Sequence, residues 1–237
     1  VIGKENKILF WKSKDFGSQV DYIGTPVPAK DKIPEWYFDS KITLGGQSLK
    51  VVTANSTNVG IKGCIPFIDA FEAGYILELP CDIIVKQLDG FPDFSWSSPV
   101  PPLTLRSLEL VDSIPLVPGF TKFFQAWKFE IGVVVPKGYS LLVTHPLNHY
   151  ELPFISSSGV VDADGGLGAG AIPFAIKEGF EGIIKKGTPI IQLIPFKREN
   201  WKSEIVDQSD SRVPLWVPRS MIIGWYKKNI WKKKQYL

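Results

Sequence analysis

The feature that most constrains this chain is the close, regular spacing of its β-prone runs after residue 122. Residues 123–130, 132–135, 139–144, 172–177, 180–184 and 190–196 are short and rich in aromatic and β-branched side chains. Between them stand Pro136-Lys137-Gly138, the glycine-rich stretch 162–170, Glu178-Gly179 and Lys185-Lys186-Gly187. Short strands separated by turn residues predict a mainly β fold, a sandwich or a distorted barrel. A chain of 237 residues with 44% hydrophobic side chains can bury a sizeable core, and all-β domains often reach this length as one unit. No repeat of fixed period is present.

Upstream, residues 7–11 (KILFW) read as a strand and residues 24–34, with three prolines, as an extended connector. Residues 33–37 fit a brief helical turn, and residues 42–52 a hairpin turning at Gly45-Gly46. Residues 53–59 are a polar loop. Apolar Ile65, Ile68 and Phe71, with Pro66 near the start and Gly74 at the end, predict a short amphipathic helix. Residues 75–85 read as two strand segments interrupted at Pro80. Residues 89–102 read as a proline-rich, aromatic loop folded over the body. No Gly/Ser linker separates the halves. The expected organisation is therefore a strand-rich portion at 1–120 packed on a β core at 121–200, followed by a polar segment and tail at 201–237.

The net charge is +3, and five lysines, Lys227, Lys228, Lys232, Lys233 and Lys234, fall in the last eleven residues, leaving the remainder at −2. Such a body lacks the broad basic face of a duplex-binding domain. The tail WYKKNIWKKKQYL interleaves these lysines with Trp225, Tyr226, Trp231 and Tyr236. It reads as a helix from residue 218, docked by its aromatic side, or as a segment that meets another surface. Nucleic acid is an expected partner only through this tail. Cys64 and Cys81 have no CxxC partner, and a buried pair of free thiols is the simpler expectation. The first sixteen residues lack the apolar stretch of a signal peptide, and no apolar run is long enough to span a membrane.

Three groups of residues invite chemistry. His145 and His149 have an i, i+4 spacing, but Pro146 disfavours the helix that metal ligation at this spacing needs. Asp162 and Asp164 alternate in GVVDADG, so on a regular strand they face opposite ways. One could hold a water or a magnesium ion, or the run could be an Asx-type turn. The glycines of GGLGAG precede a strand rather than a helix, so they lack the helix N-terminus of a phosphate cradle. They are expected to form a flexible hairpin tip. P-loop, Rossmann, zinc and GxSxG patterns are absent from the sequence.

GVVDADG at 159–165 and GTPIIQLIPF at 187–196, with PKGYSLL at 136–142 upstream, resemble the dUTPase and dCTP-deaminase superfamily in content, order and separation. That resemblance implies a β-clip-like fold with additional N-terminal strands and a few short helices, commonly trimeric. It implies Asp162 as a water-activating base, Gln192 and Gly187 as nucleotide-binding residues, and Mg2+ as cofactor. The superfamily's arginine–serine motif is missing, since THPLNHY stands at 144–150. No glycine-rich closing motif follows, and Ile76 replaces a metal-associated aspartate. Without those charge-assisted contacts phosphoryl-transfer chemistry loses most of its support. Residues 61–74, 136–148 and 180–201 also resemble an uncharacterised family of tailed-phage proteins, especially from marine cyanobacterial phages.

Together these readings favour a non-enzymatic phage protein without a cofactor, a virion structural or assembly component in the particle or the host cytoplasm. It is expected to act through contacts with itself or other virion proteins, made by Trp225, Tyr226, Lys227, Lys228, Trp231, Lys232, Lys233 and Lys234. The alternative is a dUTPase-like nucleotide-binding protein or nucleotide pyrophosphohydrolase, either catalytically degenerate or, if an enzyme, with Asp162 as its catalytic base.

Overall fold

The computed structural model describes residues 6–42, 60–213 and 225–237. The hairpin expected at 42–52, the loop at 53–59 and the first part of the tail helix fall outside them, apart from Ile42. Among the described residues the fold is mainly β, with every strand pair antiparallel and only short helices. Four sheets are formed, and each is open rather than closed into a barrel.

The largest sheet has five strands. Its centre is β14 (Pro189–Lys197), flanked by β9 (Tyr139–Thr144) and β3 (Tyr75–Glu78), with β11 (Gly159–Val161) and β2 (Val27–Pro28) at the edges. Residues Ile190, Ile191, Gln192 and Leu193 are buried in succession, as a strand covered on both faces requires. Pro189 opens that strand, a position where a missing N–H is tolerated. The second sheet has four strands: β10 (Phe154–Ser156), β12 (Gly170–Ile176), β7 (Gln125–Phe129) and β6 (Leu103–Leu105). Between these sheets lies Trp127, fully buried, with its ring stacked 3.6 Å from Phe174 and edge-on to Phe154. Its indole N–H donates to Ser156 Oγ at 3.0 Å, and that hydroxyl donates to Ile190 O at 2.7 Å. Both buried polar groups are thus satisfied.

β1 (Leu9–Lys12) pairs with β8 (Ile131–Val134), and Gly132 lets the Trp11 indole lie on the backbone, since a Cβ there would come within 2.1 Å of it. The remaining sheet is β13 (Gly182–Ile184), β4 (Ile83–Leu88) and β5 (Phe91–Ser95). Strands from residues 6–120 therefore hydrogen-bond directly to strands from 121–200 through β1–β8, β3–β14, β6–β7 and β4–β13.

Two short helices pack beside the large sheet. α1 (Glu35–Asp39) follows Pro34, and α2 (Ile65–Glu72) carries Pro66 in its first turn. Ala73 caps the C-terminus of α2, and Gly74 (φ +71°) turns the chain into β3. A Cβ on Gly74 would stand 2.0 Å from Leu193 O, so the close approach also demands glycine.

Several local expectations are corrected. Phe91–Ser95, expected within a loop, is β5, joined to β4 by Asp89-Gly90, both at positive φ. This is the left-handed pair a two-residue hairpin turn needs. The glycine-rich stretch is not a free hairpin tip: Leu167 exchanges two backbone bonds with Val133, at 2.8 and 2.9 Å. Cys64 is exposed and Cys81 half-buried, so the two free thiols do not form a buried pair.

Candidate functional site

The most concentrated polar chemistry lies where β11 ends. Val161 pairs with Leu141 on β9, and the chain then leaves the sheet in a 3-10 turn at Ala163–Gly165. Because the strand stops before Asp162, the period-two alternation no longer applies, and Asp162 and Asp164 converge on one cation. The opposite-facing arrangement expected of a regular strand therefore does not arise, and the run is a turn. The cation is Arg198, one residue beyond β14. Its guanidinium pairs with Asp164, lies 3.1 Å from Asp162 Oδ1, and donates to Tyr139 O at 2.9 Å and Ser140 Oγ at 3.1 Å. The fully buried Ser140 hydroxyl donates in turn to Asp162 Oδ1 at 2.6 Å. Gly138 N–H donates to Asp164 Oδ2 at 2.9 Å, and Arg198 N–H donates to Gly138 O at 2.8 Å.

The electrostatics follow from these bonds. Arg198 first, and then the Gly138 amide, hold the Asp164 carboxyl at about 2, below its ordinary 3.8. The Ser140 hydroxyl, followed by Arg198, lowers Asp162 as well. Asp162 is 70% exposed and ionised, but its Oδ1 is already bonded to the protein. Sequence reasoning missed Arg198 and Ser140. An arginine in FKREN, 34 residues from Asp164, carries no local signal of its destination. Only the β9–β14 register, with Phe196 opposite Ser140, places it there.

Gln192 sits elsewhere. It is 1% exposed; its Oε1 accepts Leu147 N–H at 2.8 Å, and its Nε2 donates to Ala70 O at 3.0 Å and Ala73 O at 2.6 Å. Both amide protons thus tie the C-terminus of α2 to the sheet. Gln192 stands opposite Thr144 on β9, four residues from Ser140, which is about 13 Å along a strand. Gly187 lies beyond the other end of β14, where its N–H donates to Leu79 O at 2.9 Å. It lines a cleft of 260 Å³ with Lys12, Asp21, Glu78 and Lys186. The structure therefore spreads Asp162, Gln192 and Gly187 along β14 instead of bringing them together.

Magnesium does not fit these residues. Asp164 has both oxygens bonded to Arg198 or Gly138, and a guanidinium between two carboxylates repels a dication. Among the described residues no group of three His, Cys, Asp or Glu side chains could hold a metal. His145 Nδ1 accepts from Ser156 N–H at 3.3 Å while Nε2 faces His149 O at 3.4 Å, and burial lowers its pKa. His149 is buried against Phe71 with Nδ1 2.8 Å from Glu151 Oε1, whose other oxygen accepts the Trp36 indole N–H. His145 therefore ties this loop to β10, and His149 with Glu151 ties it to α1 and α2.

The tail is docked on its own chain. Among the described residues its helix is Trp225–Asn229 (α3), and residues 231–237 have no regular structure, a correction to the helix expected over that part of the tail. Trp231 donates its indole N–H to Asp69 of α2 at 2.9 Å, and Lys234 pairs with the same carboxylate. The Tyr236 ring packs edge-on to Tyr75, whose hydroxyl donates to Leu237 O at 3.2 Å. Tyr226, Lys227, Lys228, Lys232 and Lys233 face solvent. No described helix is long and apolar enough to cross a membrane.

No protein-family model matches the chain, and no curated protein is significantly similar to it. Solved structures similar to it include the dUTPase of phage phi11 of S. aureus, at 11% identity and a TM-score of 0.33. The dUTPase of Staphylococcus bacteriophage 80alpha is also similar, at 13% identity and a TM-score of 0.30. In both, the similarity covers 73% of this chain and 97% of the other. At that depth the likeness assigns no role to any residue.

Proposed function

We propose that this chain is a non-enzymatic binding or assembly protein, working through protein–protein contacts in a phage particle or in its host's cytoplasm. The viral setting rests on the sequence resemblance to tailed-phage proteins. The observation that carries the non-enzymatic reading is the fate of the two residues a nucleotide hydrolase would need. Gln192 has both amide protons bonded inside the protein. Asp162 lies beyond the end of β11, where its Oδ1 is bonded to Ser140 and paired with Arg198, while Gln192 stands opposite Thr144, four residues from Ser140 on β9. A general base must reach the proton it removes, and a phosphate contact must have a donor to offer. The carboxylate corner instead staples the end of β14 to the 136–138 turn.

The test is thermal melting of the full chain with a panel of deoxynucleotides and magnesium. A ligand at about 100 times its dissociation constant adds ~2.7 kcal/mol of stability. The expected result is no shift for any nucleotide. A shift that disappears in Asp162→Asn would replace this reading with that of a nucleotide pyrophosphohydrolase.

A further inference from the structure

Four ammonium groups stand close together on the docked tail with nothing to neutralise them. Lys227 and Lys228 lie in α3, and Lys232 and Lys233 follow, all within seven residues. The peptide N–H groups of Ile230 and Trp231 both donate to Tyr226 O at 2.9 Å, which closes the chain into a turn between the two pairs. Six extended residues would span at most about 20 Å, and the closed turn brings the pairs nearer than that. All four lysines are exposed, and among the described residues none of them has a carboxylate partner. The acids of the helix beneath are engaged: Asp69 holds Trp231 and Lys234, and Glu72 acts on Tyr37 of α1. Like charges this close repel, and a polyanion removes that cost. A hollow of about 450 Å³ adjoins the end of the tail. Asn6, Lys7, Leu9 and Tyr75 line it from the body, and Gln235 and Leu237 from the tail.

We propose that the tail binds the phosphate backbone of a single-stranded nucleic acid, with Lys227, Lys228, Lys232 and Lys233 on its phosphates and a base in the hollow beside Tyr75. Lysine is a compact charge on a flexible stem, so the four need not share one face to converge on a flexible polyanion. Such a contact is one of charge and is indifferent to base sequence. A single strand fits better than a duplex. Its bases are free to leave the stack for an aromatic wall with amide groups beside it, as Tyr75, Asn6 and Gln235 provide. Outside the five lysines of the tail the chain carries a net −2, so it offers a duplex no broad basic face. A lipid surface fits less well. A segment lying on a membrane buries its aromatic side in lipid, whereas Trp231 and Tyr236 are turned inward onto Asp69 and Tyr75. This contact goes beyond the assembly role proposed above and does not depend on it.

Fluorescence anisotropy of a labelled oligothymidylate of about 20 nucleotides, longer than a typical single-strand site, tests it with the full chain. Four lysine–phosphate contacts on a single strand give log affinity a slope of about −2.8 against log salt. Affinity should therefore fall about 50-fold between about 50 and 200 mM KCl. Lys232→Gln with Lys233→Gln leaves two contacts, so the fall over the same range should shrink to about sevenfold. Both side chains are exposed, and this variant should melt like the parent. Lys177→Gln with Lys185→Gln removes equal charge from exposed positions just beyond β12 and β13, and should bind like the parent. No binding at about 50 mM KCl overturns the proposal, as does a salt dependence that is the same in the tail variant and the parent. Tighter binding to a duplex of equal length overturns the choice of a single strand. Equal binding to polyglutamate, or a preference for vesicles with about one-third phosphatidylserine, would show that bare charge or a lipid surface is what the tail meets, and overturns it too. The melting test above reads the carboxylate corner and this one reads the tail, so either proposal can fail alone.

Discussion

The C-terminal tail and the segment from β6 to residue 119 differ in what folding leaves unpaired. The tail, with its aromatics and lysines, resembles an adhesive arm, yet Trp231, Lys234 and Tyr236 are engaged by Asp69 and Tyr75 of the same chain. Residues 108–116 carry no such charge pattern, yet they leave Leu108, Leu110, Ile114 and Leu116 in solvent. Stickiness is thus a property of what remains unpaired after folding. Residue type alone does not report it.

The largest expected effect tests the support under the tail. Gly74→Ala places a Cβ against Leu193 O at a positive φ, pushing α2 off β14. We expect a loss of about 3 kcal/mol or more in denaturant melting, combining backbone strain with steric overlap. A loss under about 1 kcal/mol would mean that α2 does not hold this position.

Asp69→Ala sharpens the comparison more locally. It leaves the Trp231 indole and Lys234 without their carboxylate, and should cost about 1–2 kcal/mol for a charge-assisted bond. Tryptic cleavage after Lys232 and Lys233 should accelerate. Unchanged cleavage would show the tail to be free already.

The carboxylate corner supplies a pH test. Asp164 titrates at about 2 when folded and at its ordinary 3.8 when unfolded. A depressed carboxyl stabilises the fold above the unfolded value, and that contribution is lost as pH falls through the folded one. The stability advantage of the parent over Arg198→Ala should therefore hold near pH 6 and fade between about pH 4 and 2. An advantage constant across that window would mean Arg198 acts by packing. The smallest effect concerns Lys232 and Lys233, which are exposed. Replacing both by Gln should change stability by less than about 0.5 kcal/mol in denaturant melting. A loss above about 1 kcal/mol would mean that these lysines help hold the tail in place.

Much of the fold is legible locally. The strand runs after 122, the break at Pro80 and the helix ending before Gly74 all reappear, because alternation, proline and glycine act on neighbouring residues. The β4–β5 hairpin was equally available from Asp89-Gly90, but the prolines around it argued for a loop. The site was far less legible. Asp162 and Asp164 stood out in the sequence, but their partners Ser140 and Arg198 did not.

The sequence by itself determined where strands begin and stop and which stretches carry charge, since these follow from side-chain period and backbone restriction over a few residues. Tertiary structure alone decided which polar groups are already bonded and which apolar ones are left over. Arg198 reaches Asp164 across 34 residues, and Trp231 reaches Asp69 across 162. Such pairings are set by strand register and packing, and a one-residue slip in register would turn each side chain to the opposite face.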